Sequence, residues 1–174
     1  MTEVGAIQRV EDFDEFFDAH YVEVARTLAL AVGDEDRADD AAQEAFAQAY
    51  RKWSAVSRME RPVGWVVVVG INRLKRWIGR AERAWPTDQE RADAVGDPAD
   101  HIVDGADLRA ALDRLAPRQR ATVVLRYLCD LSTDDVARAL GCSPGTVKSA
   151  LHQALANLRV DLETFDEERD DHAR

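Results

Sequence analysis

Residues 132–158 read STDDVARALGCSPGTVKSALHQALANL, and the punctuation of this stretch decides the fold. Ser132 followed three positions later by Asp135 has the spacing of a capping box, in which short polar side chains satisfy amide donors left unpaired in a helix's first turn. Val136 and Leu140 give that helix an inner face, and Gly141 suits the left-handed exit at its end. Ser143 then caps a second helix whose first position is Pro144, where a missing N–H costs nothing. Val147, Leu151, Leu155 and Leu158 recur at helical spacing and predict its buried stripe. Two capped helices joined by a Gly-containing turn of about three residues make a helix-turn-helix, whose second helix offers its N-terminal side chains to the major groove. Thr146, Lys148, Ser149, His152 and Gln153 are expected on that outer side. Lys148 suits phosphate or guanine and Gln153 suits adenine. A plain helical hairpin in a small bundle is the alternative that the pattern leaves open.

Before this unit, Pro117 to Cys129 and about Ala106 to Leu115 read as two further helices. Trp85 to Gly105 has Pro86, Gly96, Pro98 and Gly105, many acidic residues and little apolar periodicity, so it reads as a linker. On its other side, Phe16, Phe17, Tyr21, Val24, Leu28 and Val32 form a helical stripe that starts from Phe13 and stops at Gly33. A second helix is expected from about Arg37 to Trp53, with Ala42, Ala45, Phe46, Ala49, Tyr50 and Trp53 inward and Asp39, Asp40, Gln43, Glu44 and Gln48 outward. Ser54 to Arg61 reads as a polar loop, and Pro62 opens a third helix running to about Arg83. Val66 to Val69 is a β-branched run that favours a strand by propensity. No second strand pattern lies nearby to pair with it, so helix is expected. The fold class is therefore all-α, with two small helical domains at 1–85 and 106–160, an acidic linker at 86–105 and an acidic tail at 161–174.

The net charge of −10 opposes unaided nucleic-acid binding, which depends on neutralising phosphate. The cations are nevertheless grouped. Arg73, Lys75, Arg76, Arg80 and Arg83 form one block, and Arg109, Arg114, Arg118, Arg120 and Arg126 a second, and either could meet phosphate. Acidic residues collect in Glu11 to Asp18, Asp34 to Glu44, Asp88 to Asp107 and Asp161 to Asp171, as expected of surface that meets another protein or repels DNA until a partner is present. From Ser132 to Val160 only Arg138, Lys148 and Arg159 oppose Asp134 and Asp135, a thin balance for an autonomous DNA binder.

Cys129 and Cys142 are too few for a disulfide framework and lack metal-ligand spacing, so buried free thiols are expected and no metal. There is no Gly-rich phosphate loop and no nucleophile motif, and the four histidines lie far apart; no catalytic residue and no cofactor is expected. No apolar run approaches the roughly 20 residues of a membrane span, and Met1 to Val10 lacks a signal peptide's pattern. A cytoplasmic chain without membrane insertion is expected.

Leu112 through Leu158, with LAPRQRATVVLRYLCDLSTDDVARALGCSPGTVKSALHQALANLR from Leu115, resembles region four of sigma-70-type RNA polymerase factors. DDAAQEAFAQAYRKW, Asp39 to Trp53, is similar to the polymerase-binding helix of region two. GWVVVVGINRLKRWIGR, Gly64 to Arg80, resembles the helix after it, with Trp65, Gly70 and Asn72 at the family's spacing. The intermediate region of larger sigma factors is missing, as in the extracytoplasmic-function group. The resemblance implies that Asp39, Asp40, Gln43 and Glu44 dock on core RNA polymerase. It implies that the loop Ser57, Arg58 to Arg61 and the cluster Asn72, Arg73, Lys75, Arg76 and Arg80 hold the melted downstream element of promoter DNA. Opening a promoter needs a base captured out of the stack while cations hold the backbone. Upstream-element contact falls to Arg118, Arg120, Thr146, Lys148, Ser149, His152 and Gln153, and an anti-sigma factor is implied as regulator. Trp65 and Trp77 are read as core rather than stacking platforms.

Several residues depart from the family pattern. Arg76 stands where an Asp is common and Gly79 where a basic residue is. The recognition helix, usually Ser-Arg-Leu and then another Arg, here reads Ser149, Ala150, Leu151, His152, Gln153, so two expected cations are absent. A stand-alone helix-turn-helix regulator and a sigma-like protein-interaction module with weakened promoter reading stay open as alternatives.

Overall fold

The computed structural model describes the backbone of residues 3–85 and 105–172 and the side chains of 12–85 and 108–158. Among the described residues every regular element is helical. Helix α1, Glu3–Val32, begins well before the expected Phe13. Its inward positions Phe13, Val24, Leu28, Ala31 and Val32 are buried, with Phe16, Phe17 and Tyr21 packed beside them. Gly33 ends the helix with φ +72, a left-handed conformation that favours a residue without Cβ.

Asp34 then caps α2, Glu35–Arg51, its carboxylate accepting the Arg37 N–H at 3.0 Å. The buried face of α2 is mostly alanine, Ala38, Ala41, Ala42, Ala45 and Ala49 around Phe46, which lets its backbone approach its neighbours closely. The expected continuation to Trp53 does not occur. Lys52 leaves helical geometry, and a single-turn helix α3, Trp53–Val56, occupies part of the expected loop. The break turns the Trp53 ring onto Phe13 and Phe16, with centroids 5.3 and 4.9 Å away. Such ring contacts add to the gain from area burial alone. Tyr50, expected inward, is 51% exposed and touches Phe13 only by its edge.

Helix α4, Pro62–Ala84, runs unbroken through the valine run, and Val66, Val67, Ile71, Leu74 and Ile78 are buried. Gly70 marks where α4 crosses α1. A Cβ there would lie 2.6 Å from the Leu28 Cδ1, so the small residue is required by contact. Trp65 and Trp77 are partly buried against the same core.

The second group begins with α5, Gly105–Asp113, and α6, Pro117–Val123. The helix expected to reach Cys129 instead widens over Val124–Leu128 into π geometry, with the Cys129 N–H reaching the Val124 carbonyl at 3.2 Å. The pair expected from the caps follows as α7, Thr133–Leu140, and α8, Pro144–His172. On α8 the buried seam is Val147, Ala150 and Ala154, not the expected leucine stripe; Leu151 and Leu158 are half-buried and Leu155 is 37% exposed. The alanines let α8 sit close to α6, and this rotates the seam by one position. The expected acidic tail has no separate start in the backbone, because α8 continues to His172. Residues 86–104, which hold nearly all of the expected linker, lie outside the described residues.

The two helical groups also pack on each other, with α6, the π turn and α7 lying against α1 and α4. Their buried apolar residues form one continuous cluster from Phe13 to Ala154.

Candidate polymerase and nucleic-acid interfaces

Burial of the alanine face of α2 leaves its other side to solvent. Asp40 and Gln43 are exposed, and Asp39 and Glu44 are half-buried at its edges. Asp39 is tied inward, accepting the Tyr21 hydroxyl at 2.7 Å and the Gln43 amide at 2.8 Å. Burial, then the Asp39 carboxylate, pushes the Tyr21 hydroxyl up to about 12. Glu44 faces two cations, Arg51 at 3.8 Å and Arg73 at 3.9 Å. The four residues expected to dock on a partner therefore share one side of α2, and Asp40 and Gln43 form its open centre.

On α4, Asn72, Arg73, Arg76 and Arg80 are exposed at helical spacing. Ser57 and Arg58 are exposed in the neighbouring turn, where Arg58 donates to the Ser54 carbonyl at 2.6 Å. The two remaining cations of this set are engaged by the second helical group. Arg61 donates to the carbonyls of Cys129 and Asp130, each at 2.7 Å, and its guanidinium lies 3.7 Å from the Asp130 carboxylate. Lys75 donates to the Arg138 carbonyl at 3.2 Å. These acceptors are backbone atoms, which no residue-type signature in the sequence announces.

The helix-turn-helix has the expected caps. The Ser132 hydroxyl accepts the Asp135 N–H at 3.1 Å and bonds the Asp135 carboxylate at 2.6 Å. Gly141 takes φ +66, and the Ser143 hydroxyl accepts the Thr146 N–H at 3.1 Å. This fixes the start of α8 with Lys148, Ser149, His152 and Gln153 exposed and Thr146 at the edge. Gln153 is partly committed, because its amide oxygen accepts from Gln119 at 3.3 Å.

Two cations expected at the upstream element are placed differently. Arg120 is 8% exposed: its Nε donates to the Leu112 carbonyl at 2.8 Å and its Nη2 pairs with Asp113 at 3.0 Å. Its Nη1 fills the space beside Gly33, where a Cβ would lie only 1.8 Å away. Burial pulls the guanidinium below its ordinary value while Asp113 opposes the shift. Arg120 is an interior strut, not a DNA contact. Arg118 is half-buried, and its backbone N–H donates to the Glu82 carboxylate of α4 at 2.9 Å. Elsewhere in that basic block, Arg109 pairs with Glu35 at 2.5 Å and Arg126 with Asp130 at 3.6 Å.

Cys129 and Cys142 are free and half-buried rather than fully buried, and desolvation pushes the Cys129 thiol up to about 11. Among the described residues no three His, Cys, Asp or Glu side chains gather as a metal site would require, and no helix is long and apolar enough to cross a membrane.

Comparison with known proteins divides the chain along the same lines. A family model described as sigma-70 region 2 matches residues 16–84, and one described as sigma-70 region 4 matches residues 106–158. The chain is 39% identical over 158 residues to an RNA polymerase sigma-E factor of Streptomyces antibioticus, covering 90% of this chain and 88% of that one. It is 32% identical to the ECF RNA polymerase sigma factor SigE of Mycolicibacterium smegmatis, covering 84% of this chain and 60% of that protein. Its fold is similar to that of the sigma factor RpoE solved with the anti-sigma factor NepR from Bartonella quintana, with TM-score 0.61, 21% identity and coverage of 88% and 98%.

Proposed function

Because this chain belongs to the sigma-70 family and is an RNA polymerase sigma factor of the extracytoplasmic-function type, directing transcription initiation, we propose how its surfaces divide that work. The outer side of α2, centred on Asp40 and Gln43 with Asp39 and Glu44 at its edges, docks on core RNA polymerase. The row Asn72, Arg73, Arg76 and Arg80, with Ser57, Arg58, Arg61 and Lys75, holds the melted downstream element. Cations along the row take the phosphates, while the Asn72 amide can hydrogen-bond an unstacked base. The exposed start of α8 reads the upstream element through Lys148, Ser149 and His152, with Thr146 and Gln153 at the margin.

The observation that carries this division is the coincidence of each family match with one helical group that presents its own polar face. The protein acts by positioning polymerase and catalyses no reaction of its own. It works in the cytoplasm, where polymerase and DNA are, and an anti-sigma protein restrains it. The named complex of the Bartonella quintana sigma factor shows that this kind of partner exists for a related fold.

Replacing Asp40 with lysine and Gln43 with alanine tests the docking side, since neither residue supports the core. The double variant keeps its helical spectrum and melting temperature but no longer co-elutes with core polymerase. Co-elution equal to that of the parent chain refutes the assignment.

A further inference from the structure

The start of α8 offers side chains for reading bases, and one of them is held from behind. Gln153 and Asn157 lie four residues apart and so share one face of α8. Gln119 reaches both of them from α6, which packs on α8. The Asn157 Nδ2 donates to the Gln119 Oε1 at 3.3 Å, and the Gln119 Nε2 donates to the Gln153 Oε1 at 3.3 Å. Asn157 and Gln119 are half-buried, while Gln153 is exposed. The three amides form a chain with one direction, each nitrogen giving to the next oxygen, that ends on the reading surface.

An amide carries its oxygen and its NH2 group on opposite branches of one planar carbon. With its oxygen turned back to α6, Gln153 faces outward with its NH2 group, a donor only. The bidentate contact with adenine needs both atoms facing the base, a donor for N7 and an acceptor for the N6 amino group. An outward NH2 group instead suits the keto bases, guanine through O6 and N7 and thymine through O4, and is mismatched to the amino group of cytosine.

We propose that Gln119 and Asn157 are positioning residues that set promoter specificity. Through the amide chain they present Gln153 to the upstream element as a donor, so that one base there is read as guanine or thymine and not as adenine or cytosine. Residue type alone assigns Gln153 to adenine, so the chain reverses the preference. The inference rests on the sigma-factor reading and adds to it two residues that need not touch DNA.

The test reverses the direction of the chain. Gln119→Glu puts an acceptor-only group beside Gln153, so that the Gln153 NH2 group turns back to it and the oxygen faces out. Asn157→Asp does the same at one remove: Gln119 turns its nitrogen to the new carboxylate and its oxygen to the Gln153 NH2 group. Gln119→Lys keeps a donor toward the Gln153 oxygen. Each variant changes charge, which shifts affinity alike for all sequences, whereas preference at a single position follows the hydrogen-bonding groups presented there.

The full chain and core polymerase transcribe a promoter library randomised across the upstream element, and transcripts are counted by base at each position. Gln153→Ala is expected to flatten one position, which identifies the base that Gln153 reads. At that position the parent prefers guanine or thymine by about 3- to 10-fold, the worth of one hydrogen bond. Gln119→Lys keeps this preference, and Gln119→Glu and Asn157→Asp each turn it to adenine or cytosine; if one acidic variant fails to fold, the other decides. The amide chain is overturned, and the sigma reading left standing, by a parent that already prefers adenine or cytosine there or by acidic variants that keep the parent's preference. Loss of the preference in Gln119→Lys, or a library in which Gln153→Ala flattens no position, has the same force. No promoter-dependent transcript from the parent chain overturns the sigma reading and the amide chain with it.

Discussion

Arg120 and Lys148 carry the same charge in the same helical group, and their surroundings give them opposite work. Arg120 is walled in by Leu112, Asp113 and Gly33, whereas Lys148 stands exposed one turn into α8. Arg120→Ala removes a buried hydrogen bond to the Leu112 carbonyl and the pairing with Asp113, and empties the space beside Gly33, and should cost about 1–3 kcal/mol of stability in urea unfolding. Lys148→Ala should leave that curve within about 0.5 kcal/mol of the parent. In a polymerase-bound promoter assay it should instead lower affinity and reduce the salt slope by about one. An Arg120 variant that matches the parent in urea, or a Lys148 variant with unchanged salt dependence, contradicts these assignments. The sequence showed both cations and could not separate them, since a charge written in one letter carries no mark of its burial. Asp40 and Lys148 were legible because helical spacing places them outside, whereas Asn72 and Arg73 were singled out by the family resemblance.

Where a boundary was set by a side chain acting on its own backbone, it could be read in advance. Ser132, Gly141, Ser143 and Pro144 delimit α7 and α8 at the expected positions, and Pro62 opens α4. Boundaries set by packing were not legible: the stop of α2 at Arg51 serves the Trp53 ring, and the π turn at Val124–Leu128 belongs to a helix end packed on α1. The seam of α8 departs from the leucine stripe because small Ala150 and Ala154 allow the closer approach. Tyr21 supplies a prediction at this scale, because its hydroxyl ties α1 to Asp39 of α2. Its folded value near 12 lies above the ordinary 10.0, through burial first and the Asp39 bond second, so the contribution of the neutral hydroxyl is fully present below pH 10 and is lost as pH rises toward 12. Thermal melts of the parent chain should fall more steeply across that alkaline window than those of Tyr21→Phe. Parallel profiles would show that the tie adds nothing.

For the molecule as a whole, an all-helical chain in two groups was evident from periodicity and from the acidic, Pro- and Gly-containing stretch between them. How the groups meet was not, because the seam is made by carbonyls at 129, 130 and 138, a left-handed aspartate and a glycine that admits a guanidinium. Charge at this scale fits dependence on a partner. A chain of net charge −10 whose recognition helix has few cations is poorly equipped to find promoters alone. The most direct measurement is therefore run-off transcription on a promoter library, with core polymerase alone, with this chain added, and a gel shift of the same DNA with this chain alone. The account predicts discrete start sites only when chain and core are combined, and little or no specific shift without core. Specific DNA binding by the chain alone together with no new transcripts in the combined reaction would contradict it.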